Sequence, residues 1–180
     1  MNLTGISKPE RMIIELFLDS LIAVPHIPPM ARMLDVGSGA GFPALVIKLL
    51  VPDLRLCLVE ANSKKVSFLK QVIRLLKLDG IEVINGRIEL IKDKLPPDGF
   101  DVISSRALAD LNQIINWCAG FLAEGGRLVY FSGSRVDEVL ENSKYLMPDH
   151  DLTVDHLVPY NLPGIRGSRS IVILRKEMAE

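Results

Sequence analysis

One continuous segment, residues 33–60, constrains the fold of this chain more than any other. A short apolar run leads into Asp-Val-Gly-Ser-Gly-Ala-Gly at residues 35–41, and an apolar pattern with helical spacing follows at residues 42–50. Residues 54–59 are again apolar, have strand character and end at the acidic Glu60. A strand, a glycine turn, a helix and a second strand that ends in an acid form half of a nucleotide-binding α/β unit.

The glycine turn is the predicted binding cradle. Gly37, Gly39 and Gly41 lack a Cβ atom, so they can adopt a positive φ and let a ligand approach the backbone closely. The helix that follows points its first N–H groups towards such a ligand. Glu60 comes about twenty residues after the turn, where an acid can bind both hydroxyls of a ribose. These features together favour a bound ligand over a glycine-rich turn that binds nothing.

Two details distinguish the possible cofactors. The glycine spacing is G-x-G-x-G, whereas a dinucleotide site has G-x-G-x-x-G. In addition, Asp35 stands at the end of the first strand, where it would repel the pyrophosphate of NAD. S-adenosylmethionine carries an ammonium and a sulfonium instead, and a nearby carboxylate favours both. The segment therefore predicts an S-adenosylmethionine site, and an NAD oxidoreductase is the less favoured alternative.

Length and composition indicate an ordinary globular protein. The 180 residues are 48% apolar and 24% charged, which suits one domain with a sizeable core. A formal net charge of −1 gives no overall basic signal for nucleic acid. No apolar run is long enough to cross a bilayer, and no signal peptide is expected at the N-terminus. Cys57 and Cys118 are expected to be buried thiols in a reducing compartment, so we predict a cytoplasmic location. The three histidines do not cluster with acids or cysteines, and no metal is expected.

The N-terminal residues 1–29 are predicted to form a helix and a linker that pack on the core beside the ligand cleft. Apolar residues with helical spacing run from Pro9 to Ala23, and three prolines then end the helix. Residues 30–180 are predicted to form the main domain, and the whole chain is expected to be a single domain.

Two further strand ends carry candidate ligand residues, because ligands of open α/β sheets lie outside the carboxyl ends of the strands. Ile88 and Glu89 follow the third predicted strand and are candidates for an adenine site, and the alternative is that they simply begin a short surface helix. Arg106 ends the fourth strand, at residues 100–105. It could bind the cofactor carboxylate or a phosphate or base of a substrate, and a structural ion pair is the alternative.

The rest of the chain predicts regular elements and one long loop. Helices are expected at residues 63–77, 111–122 and 136–146, and strands at 127–131, 153–158 and 170–174. Trp117 is expected to be a core residue of the second of these helices. Basic residues from Lys70 to Lys77 are interpreted as a solvated face rather than an RNA contact. The loop at residues 159–169 is glycine-rich and basic, as functional loops often are.

Several segments together resemble one known family. They are Asn2-Leu3-Thr4, Leu18-Asp19-Ser20, Leu34 to Pro43, Lys64 to Leu69, Gly86-Arg87-Ile88-Glu89, Ser105-Arg106-Ala107 and the strand that begins at Arg169. The chain resembles the glucose-inhibited division protein B family, the small-subunit ribosomal RNA guanine-N7 methyltransferases, over nearly its whole length. It departs from the family at Leu16-Phe17, where a basic residue is expected, and at Ser132, where members usually carry a lysine.

The resemblance implies an α/β class I S-adenosylmethionine-dependent methyltransferase with a Rossmann-like fold. Such a fold has a seven-stranded, mostly parallel sheet, helices on both faces and an antiparallel last hairpin. The resemblance also implies cofactor contacts, among them Phe42, which the residue patterns alone did not indicate. The full set of predicted cofactor residues is Asp35, Gly37, Ser38, Gly39, Gly41, Phe42, Glu60, Ile88, Glu89 and Arg106.

The predicted reaction is methylation of a guanine N7 in small-subunit ribosomal RNA. This nitrogen carries no proton, so the enzyme must orient it and exclude water rather than supply a general base. Arg106 is predicted to orient cofactor and substrate, and Arg135, Arg166 and Arg169 are predicted to contact RNA. The alternative is a divergent S-adenosylmethionine-binding protein with another substrate, a small molecule or a different RNA, or without catalysis. A monomer is expected.

Overall fold

The protein is described by a computed structural model that covers residues 5–6 and 8–178. The Asn2-Leu3-Thr4 motif lies outside the described residues. The structure contains one seven-stranded sheet with the order β3-β2-β1-β4-β5-β7-β6. The strands are β1 (Arg32–Val36), β2 (Arg55–Glu60), β3 (Ile81–Asn85), β4 (Phe100–Arg106), β5 (Leu122–Ser132), β6 (Leu152–Tyr160) and β7 (Arg169–Lys176). β1 to β5 pair in parallel, whereas β7 runs antiparallel to both β5 and β6. The predicted class I methyltransferase architecture is therefore confirmed.

Helices cover both faces of the sheet. The α-helices are α1 (Pro9–Met12), α2 (Asp19–Leu21), α3 (Ala44–Leu50), α4 (Ser63–Leu75), α5 (Leu111–Cys118), α6 (Val136–Ser143) and α7 (Leu146–Asp149). A π-helical stretch, Ile13–Leu18, joins α1 to α2, and 3-10 turns lie at Val24–His26, Ile88–Leu90, Lys92–Lys94 and Ala119–Phe121. Residues of α3 and α4 belong to the apolar core on one face, and residues of α5 belong to the core on the other. None of the helices in the described ranges is long and apolar enough to cross a bilayer.

Local sequence signals explain where several elements begin. The Asn62 side chain accepts hydrogen bonds from the backbone N–H groups of Lys64 and Lys65, and so caps α4 as expected. The Asp110 side chain caps α5 in the same way through Gln113 N. Helix α3 begins at Ala44, after Pro43, rather than at Phe42 as the apolar pattern suggested.

Several predicted boundaries are wrong. The strand expected at residues 127–131 is longer, because β5 runs from Leu122 to Ser132. The helix expected to reach residue 122 ends at Cys118, because Leu122 already pairs with Phe100 in the sheet. The helix expected to reach residue 146 ends at Ser143, whose hydroxyl donates back to the Val139 carbonyl. Leu76, expected in the buried stripe of α4, follows the end of the helix and is 50% exposed.

The two cysteines are buried and unpaired, as the sequence predicted for Cys57 and Cys118. Burial raises the pKa of each thiol to about 12, so neither is a reactive thiolate near neutral pH. Across the described part of the chain, no group of three or more histidine, cysteine, aspartate or glutamate side chains is arranged to hold a metal ion.

The carboxyl ends of the central strands meet at one edge of the sheet, which we call the ligand edge. Val36 ends β1, Glu60 ends β2 and Arg106 ends β4 at this edge. Because β7 is antiparallel, its first residue, Arg169, lies at the same edge, where it is paired with Tyr160 at the end of β6. The fold therefore brings residues from four distant parts of the chain to one edge of the sheet.

Candidate functional site

The glycine turn between β1 and α3 has the predicted left-handed conformations. The φ angles are +73° at Gly37, +57° at Gly39 and +93° at Gly41. A Cβ atom at Gly41 would lie only 2.5 Å from the Leu45 side chain, so a larger residue is excluded sterically as well as by its backbone angle. Gly41 N also donates to the Ser38 carbonyl at 2.7 Å, which closes the turn.

Glu60 links the end of β2 to this turn. Its side chain is buried, and one carboxylate oxygen accepts a hydrogen bond from Gly39 N at 2.8 Å. The other oxygen accepts from Asn62 N at 2.7 Å. A carboxylate offers about four acceptor positions, so Glu60 retains capacity for two more donors. A ribose presents two adjacent hydroxyls, which match that remaining capacity.

A cavity of about 360 Å³ opens beside Glu60 at the ligand edge. Its size lies within the usual range for small-molecule sites, and its walls are mostly apolar with a few charged groups. The lining residues are Val36, Gly37, Val59, Glu60, Ala61, Lys65, Gly86, Arg87, Ile88, Glu89, Ala107, Leu108 and Trp117. Four of the predicted cofactor residues are among them: Gly37, Glu60, Ile88 and Glu89. Ile88 and Glu89 also begin a 3-10 turn, so the alternative that they start a short helix describes their local structure as well.

Asp35 lies below the turn and is not part of the cavity wall. It is 1% exposed, and one oxygen accepts a hydrogen bond from the Ser104 hydroxyl. The other oxygen has no hydrogen-bond partner among the described residues. Burial raises the pKa of Asp35 to about 6, although the hydrogen bond from Ser104 and the positive charge of Arg106 act against the rise. The Ser38 hydroxyl donates to the backbone carbonyl of Asp35. A cation that binds nearby would favour the ionised carboxylate further.

Arg106 and Phe42 contact the N-terminal helix rather than the cavity. Arg106 Nη2 donates to the Glu15 carbonyl at 2.6 Å, and Arg106 Nη1 lies 3.3 Å from Asp19 Oδ2. The Phe42 ring meets the Phe17 ring edge to face, with 5.0 Å between centroids. The ion pair considered as the alternative for Arg106 is therefore present, and its cofactor role stays a prediction, as do those of Phe42, Ser38, Gly39 and Gly41.

The three predicted RNA contacts have different surroundings. Arg135 is largely exposed and lies 3.6 Å from Glu138 in an i,i+3 pair, and Arg166 is exposed in the loop between β6 and β7. Arg169, in contrast, is partly buried and is paired with Asp19 and Glu15 at 3.2 and 3.4 Å. Its guanidinium is thus already engaged within the protein. This geometry favours a structural role for Arg169 and leaves Arg135 and Arg166 as the accessible pair.

Comparison with known proteins identifies the family. The sequence model of GidB, described as rRNA small subunit methyltransferase G, matches residues 1–172. The chain belongs to this family. S-adenosylmethionine is therefore the cofactor, as predicted, and the cavity fits it: Glu60 has free acceptor positions for a ribose, and apolar walls stand beside it.

Relatives and solved structures agree with this assignment. The chain is 37% identical over 175 residues to the ribosomal RNA small subunit methyltransferase G of Neisseria meningitidis serogroup A, covering 97% of this chain and 80% of the relative. It is 37% identical over 159 residues to the Desulfotalea psychrophila protein of the same name, covering 88% and 73%. An S-adenosylmethionine-dependent methyltransferase from Aquifex aeolicus has a TM-score of 0.68 at 17% identity and 93% coverage of both chains, which shows a shared fold.

Several residues around the cavity escaped the sequence analysis. Ala61 directly follows the acidic strand end, and Lys65 lies on the first turn of α4, so both could have been found from their position. Ala107 has a φ of +51°, which is unusual for a residue with a side chain, and brings Leu108 over Gly37. Trp117 packs against the core, as predicted, but it also lines the cavity, which its spacing on α5 could not indicate.

Trp117 provides a direct test of the cavity, since it is the only tryptophan in the chain. We expect its fluorescence to change when S-adenosylmethionine is titrated into the protein, because the indole would exchange water for a bound adenosine. Trp117→Phe is the control and should bind the cofactor, as measured by calorimetry, without a fluorescence change. Saturation by calorimetry with unaltered fluorescence of the wild-type protein would show that the cofactor binds elsewhere.

Proposed function

We propose that this protein transfers a methyl group from S-adenosylmethionine to N7 of a guanine in small-subunit ribosomal RNA. The main support is the family match over residues 1–172 together with a cavity at the ligand edge in which Glu60 joins the glycine turn. The relatives are named as methyltransferases of ribosomal RNA, and this chain covers most of their length. We further propose that the protein acts in the cytoplasm as a monomer and uses no metal ion.

Methyl transfer to a guanine N7 requires the protein to bind and orient the two reactants. When bound, S-adenosylmethionine supplies an electrophilic methyl group on its sulfur. The guanine N7 has an in-plane lone pair and no proton, so the protein has to hold it in line with the methyl group and keep water away. The apolar Leu108, 42% exposed, covers Gly37 at the mouth of the cavity and is placed to exclude water.

Charged residues are proposed to have separate tasks. Glu60 binds the ribose hydroxyls of the cofactor, and buried Asp35 supplies negative potential that favours its ammonium and sulfonium groups. Arg106 orients cofactor and substrate from the end of β4. No general base is assigned, because none of these steps removes a proton from the nucleophile.

The decisive experiment is methyl transfer. The purified protein is incubated with labelled S-adenosylmethionine and unmodified small-subunit ribosomal RNA, both as naked RNA and as assembled subunits, and the product is mapped. We expect a single N7-methylguanine. Cofactor binding without incorporation into either substrate would reject the proposal and favour a divergent protein with another substrate or without catalysis.

Arg135 and Arg166 are expected to contribute to RNA affinity through phosphate contacts. Each follows a strand end at the ligand edge, Arg135 after β5 and Arg166 after β6. Replacing either with alanine should weaken RNA binding uniformly and reduce the slope of log affinity against log salt by about one.

The control for this measurement is Lys94→Ala. Lys94 is also exposed, but it lines a separate cavity together with Arg32 and Arg55 at the starts of β1 and β2, on the opposite edge of the sheet. Equal losses of RNA affinity in Lys94→Ala and Arg166→Ala would show that binding depends on general charge rather than on the ligand edge.

A further inference from the structure

A buried carboxylate on the N-terminal helix accepts two hydrogen bonds and forms a further ion pair at the ligand edge. Asp19 is 1% exposed. Its Oδ1 accepts a hydrogen bond from the Tyr160 hydroxyl at 2.7 Å and another from Arg169 Nη1 at 3.2 Å. Its Oδ2 lies 3.3 Å from Arg106 Nη1. We call Asp19, Arg106, Tyr160 and Arg169 the Asp19 cluster.

The three partners of Asp19 come from separate strands, and Asp19 itself begins α2. Arg106 ends β4, Tyr160 ends β6 and Arg169 begins β7, so the fold brings two guanidinium groups to one edge. Two such cations repel each other unless an anion lies between them. Asp19 provides that anion, and Glu15, one turn earlier on the helix, accepts from both arginines. Burying these charges is costly, and replacement by apolar residues would often be neutral or stabilising, so the arrangement points to a role beyond stability.

The contact between Asp19 and Arg106 is incomplete. Arg106 Nη1 and Asp19 Oδ2 are both buried, and neither has a partner with hydrogen-bond geometry among the described residues, although they are only 3.3 Å apart. A buried donor without a partner needs an explanation. Because a guanidinium has five N–H donors, Arg106 retains some of them for a further anionic group while Asp19 holds its charge in place.

We propose that Asp19 is a positioning residue that sets the orientation of the Arg106 guanidinium towards the carboxylate of S-adenosylmethionine. This inference rests on the cofactor role proposed for Arg106. It assigns the N-terminal helix a part in cofactor binding, although the helix does not line the cavity. Docking of the helix and binding of the cofactor are thereby coupled through one ion pair.

The test is a double-mutant cycle on cofactor affinity, measured by calorimetry with S-adenosylmethionine and no RNA. Asp19→Asn keeps the shape of the side chain and removes its charge, and we expect about tenfold weaker binding, within the range of couplings carried by such networks. Arg106→Gln should weaken binding at least as much. In the Arg106→Gln background, Asp19→Asn should change the affinity less than twofold, because its effect is transmitted by Arg106.

The matched control is Asp155→Asn. It breaks another partly buried ion pair, in which Asp155 lies 3.1 Å from Arg127, a residue of β5 five positions before the strand reaches the ligand edge. We expect a lower Tm and unchanged cofactor affinity. A purely structural Asp19 would behave in the same way, with a lower Tm and wild-type affinity, and that result would overturn the proposal. The proposal would also be overturned if the fold losses of cofactor affinity in Asp19→Asn and Arg106→Gln multiplied in the double variant.

A milder variant keeps the inference testable if Asp19→Asn does not fold. Tyr160→Phe removes one hydrogen bond to Asp19 and leaves its charge, so the carboxylate is less firmly held. We expect Tyr160→Phe to bind S-adenosylmethionine about threefold more weakly than the wild type. In the Arg106→Gln background, Tyr160→Phe should no longer change the affinity. Wild-type affinity in Tyr160→Phe would then reject the proposal. Since no RNA is present, the outcome does not depend on whether ribosomal RNA is the methyl acceptor.

Discussion

Replacing Glu60 with alanine is expected to weaken S-adenosylmethionine binding by at least about 100-fold, since hydrogen bonds to a charged group contribute about 1.5–3 kcal/mol each and two ribose hydroxyls would lose theirs. The same change removes the acceptor for Gly39 N and Asn62 N, which hold the glycine turn against β2. We therefore expect the free energy of unfolding to fall as well, by about 1–3 kcal/mol. Calorimetry with the cofactor and urea unfolding measure the two effects.

The Glu60 prediction has two controls. Glu60→Gln keeps the size of the side chain and one acceptor oxygen, so its cofactor affinity should lie between those of the wild type and Glu60→Ala. Glu82→Gln alters an exposed acid of β3 that lines the separate cavity at the opposite edge of the sheet, and it should leave the cofactor affinity unchanged. An affinity of Glu60→Ala within threefold of the wild type would show that the ribose is bound by other groups.

The second large effect concerns Asp35. Its pKa of about 6 in the folded protein exceeds the ordinary value of 3.8, because burial disfavours the charged form. At a pH between these two pKa values, the Asp35 carboxyl holds a proton in the folded state and has released it in the unfolded state. The free energy of unfolding should therefore fall as pH rises through this window, by about 3 kcal/mol once the pH exceeds 6, since each pKa unit corresponds to about 1.36 kcal/mol.

Asp35→Asn removes this titration while keeping an acceptor for the Ser104 hydroxyl. We expect the variant without cofactor to gain stability relative to the wild type as the pH rises from 4 to 7.5, when both are unfolded by urea at each pH. A constant difference between the two proteins over this range would contradict the raised pKa of Asp35.

Cofactor binding should respond to Asp35→Asn in the opposite direction. The cationic groups of S-adenosylmethionine favour the ionised carboxylate, so wild-type affinity should rise with pH up to about 6 and then level off. The variant should bind on the order of tenfold more weakly at pH 7.5 and lack this pH dependence, because one nearby charge is missing. A gain in apo stability combined with a loss of affinity would separate the role of Asp35 in binding from any role in folding.

The features that the sequence predicted correctly depend on local chemistry. The glycine turn requires a positive φ at Gly37, Gly39 and Gly41, and glycine adopts a positive φ without strain. The cap at Asn62 and the acid at the end of β2 are also properties of a few neighbouring residues. These local signals predicted the glycine turn and four of the cavity residues. The seven-stranded, mostly parallel sheet was expected from the family resemblance.

The features that escaped prediction depend on contacts between distant residues. Arg106 pairs with the backbone of Glu15, 91 residues away, and Arg169 pairs with Asp19 across 150 residues. Neither contact leaves a pattern in the local sequence, so Arg169 was expected to contact RNA, and the ion pair of Arg106 was considered only as an alternative. Trp117 packs against the core, as predicted. Its place in the cavity wall was missed, because a helix presents an apolar side chain in the same way to a packed layer and to a cavity.

The position of β7 between β5 and β6 has a consequence for how the protein matures during synthesis. The ribosome releases Arg169 150 residues after Asp19, yet the two side chains are partners in the folded protein. Until β7 emerges, β5 and β6 have no strand between them, and Asp19 lacks its contact with Arg169. A nascent chain can therefore form the sheet from β1 to β5 before the Asp19 cluster is complete. The cluster closes only when β7 inserts between β5 and β6.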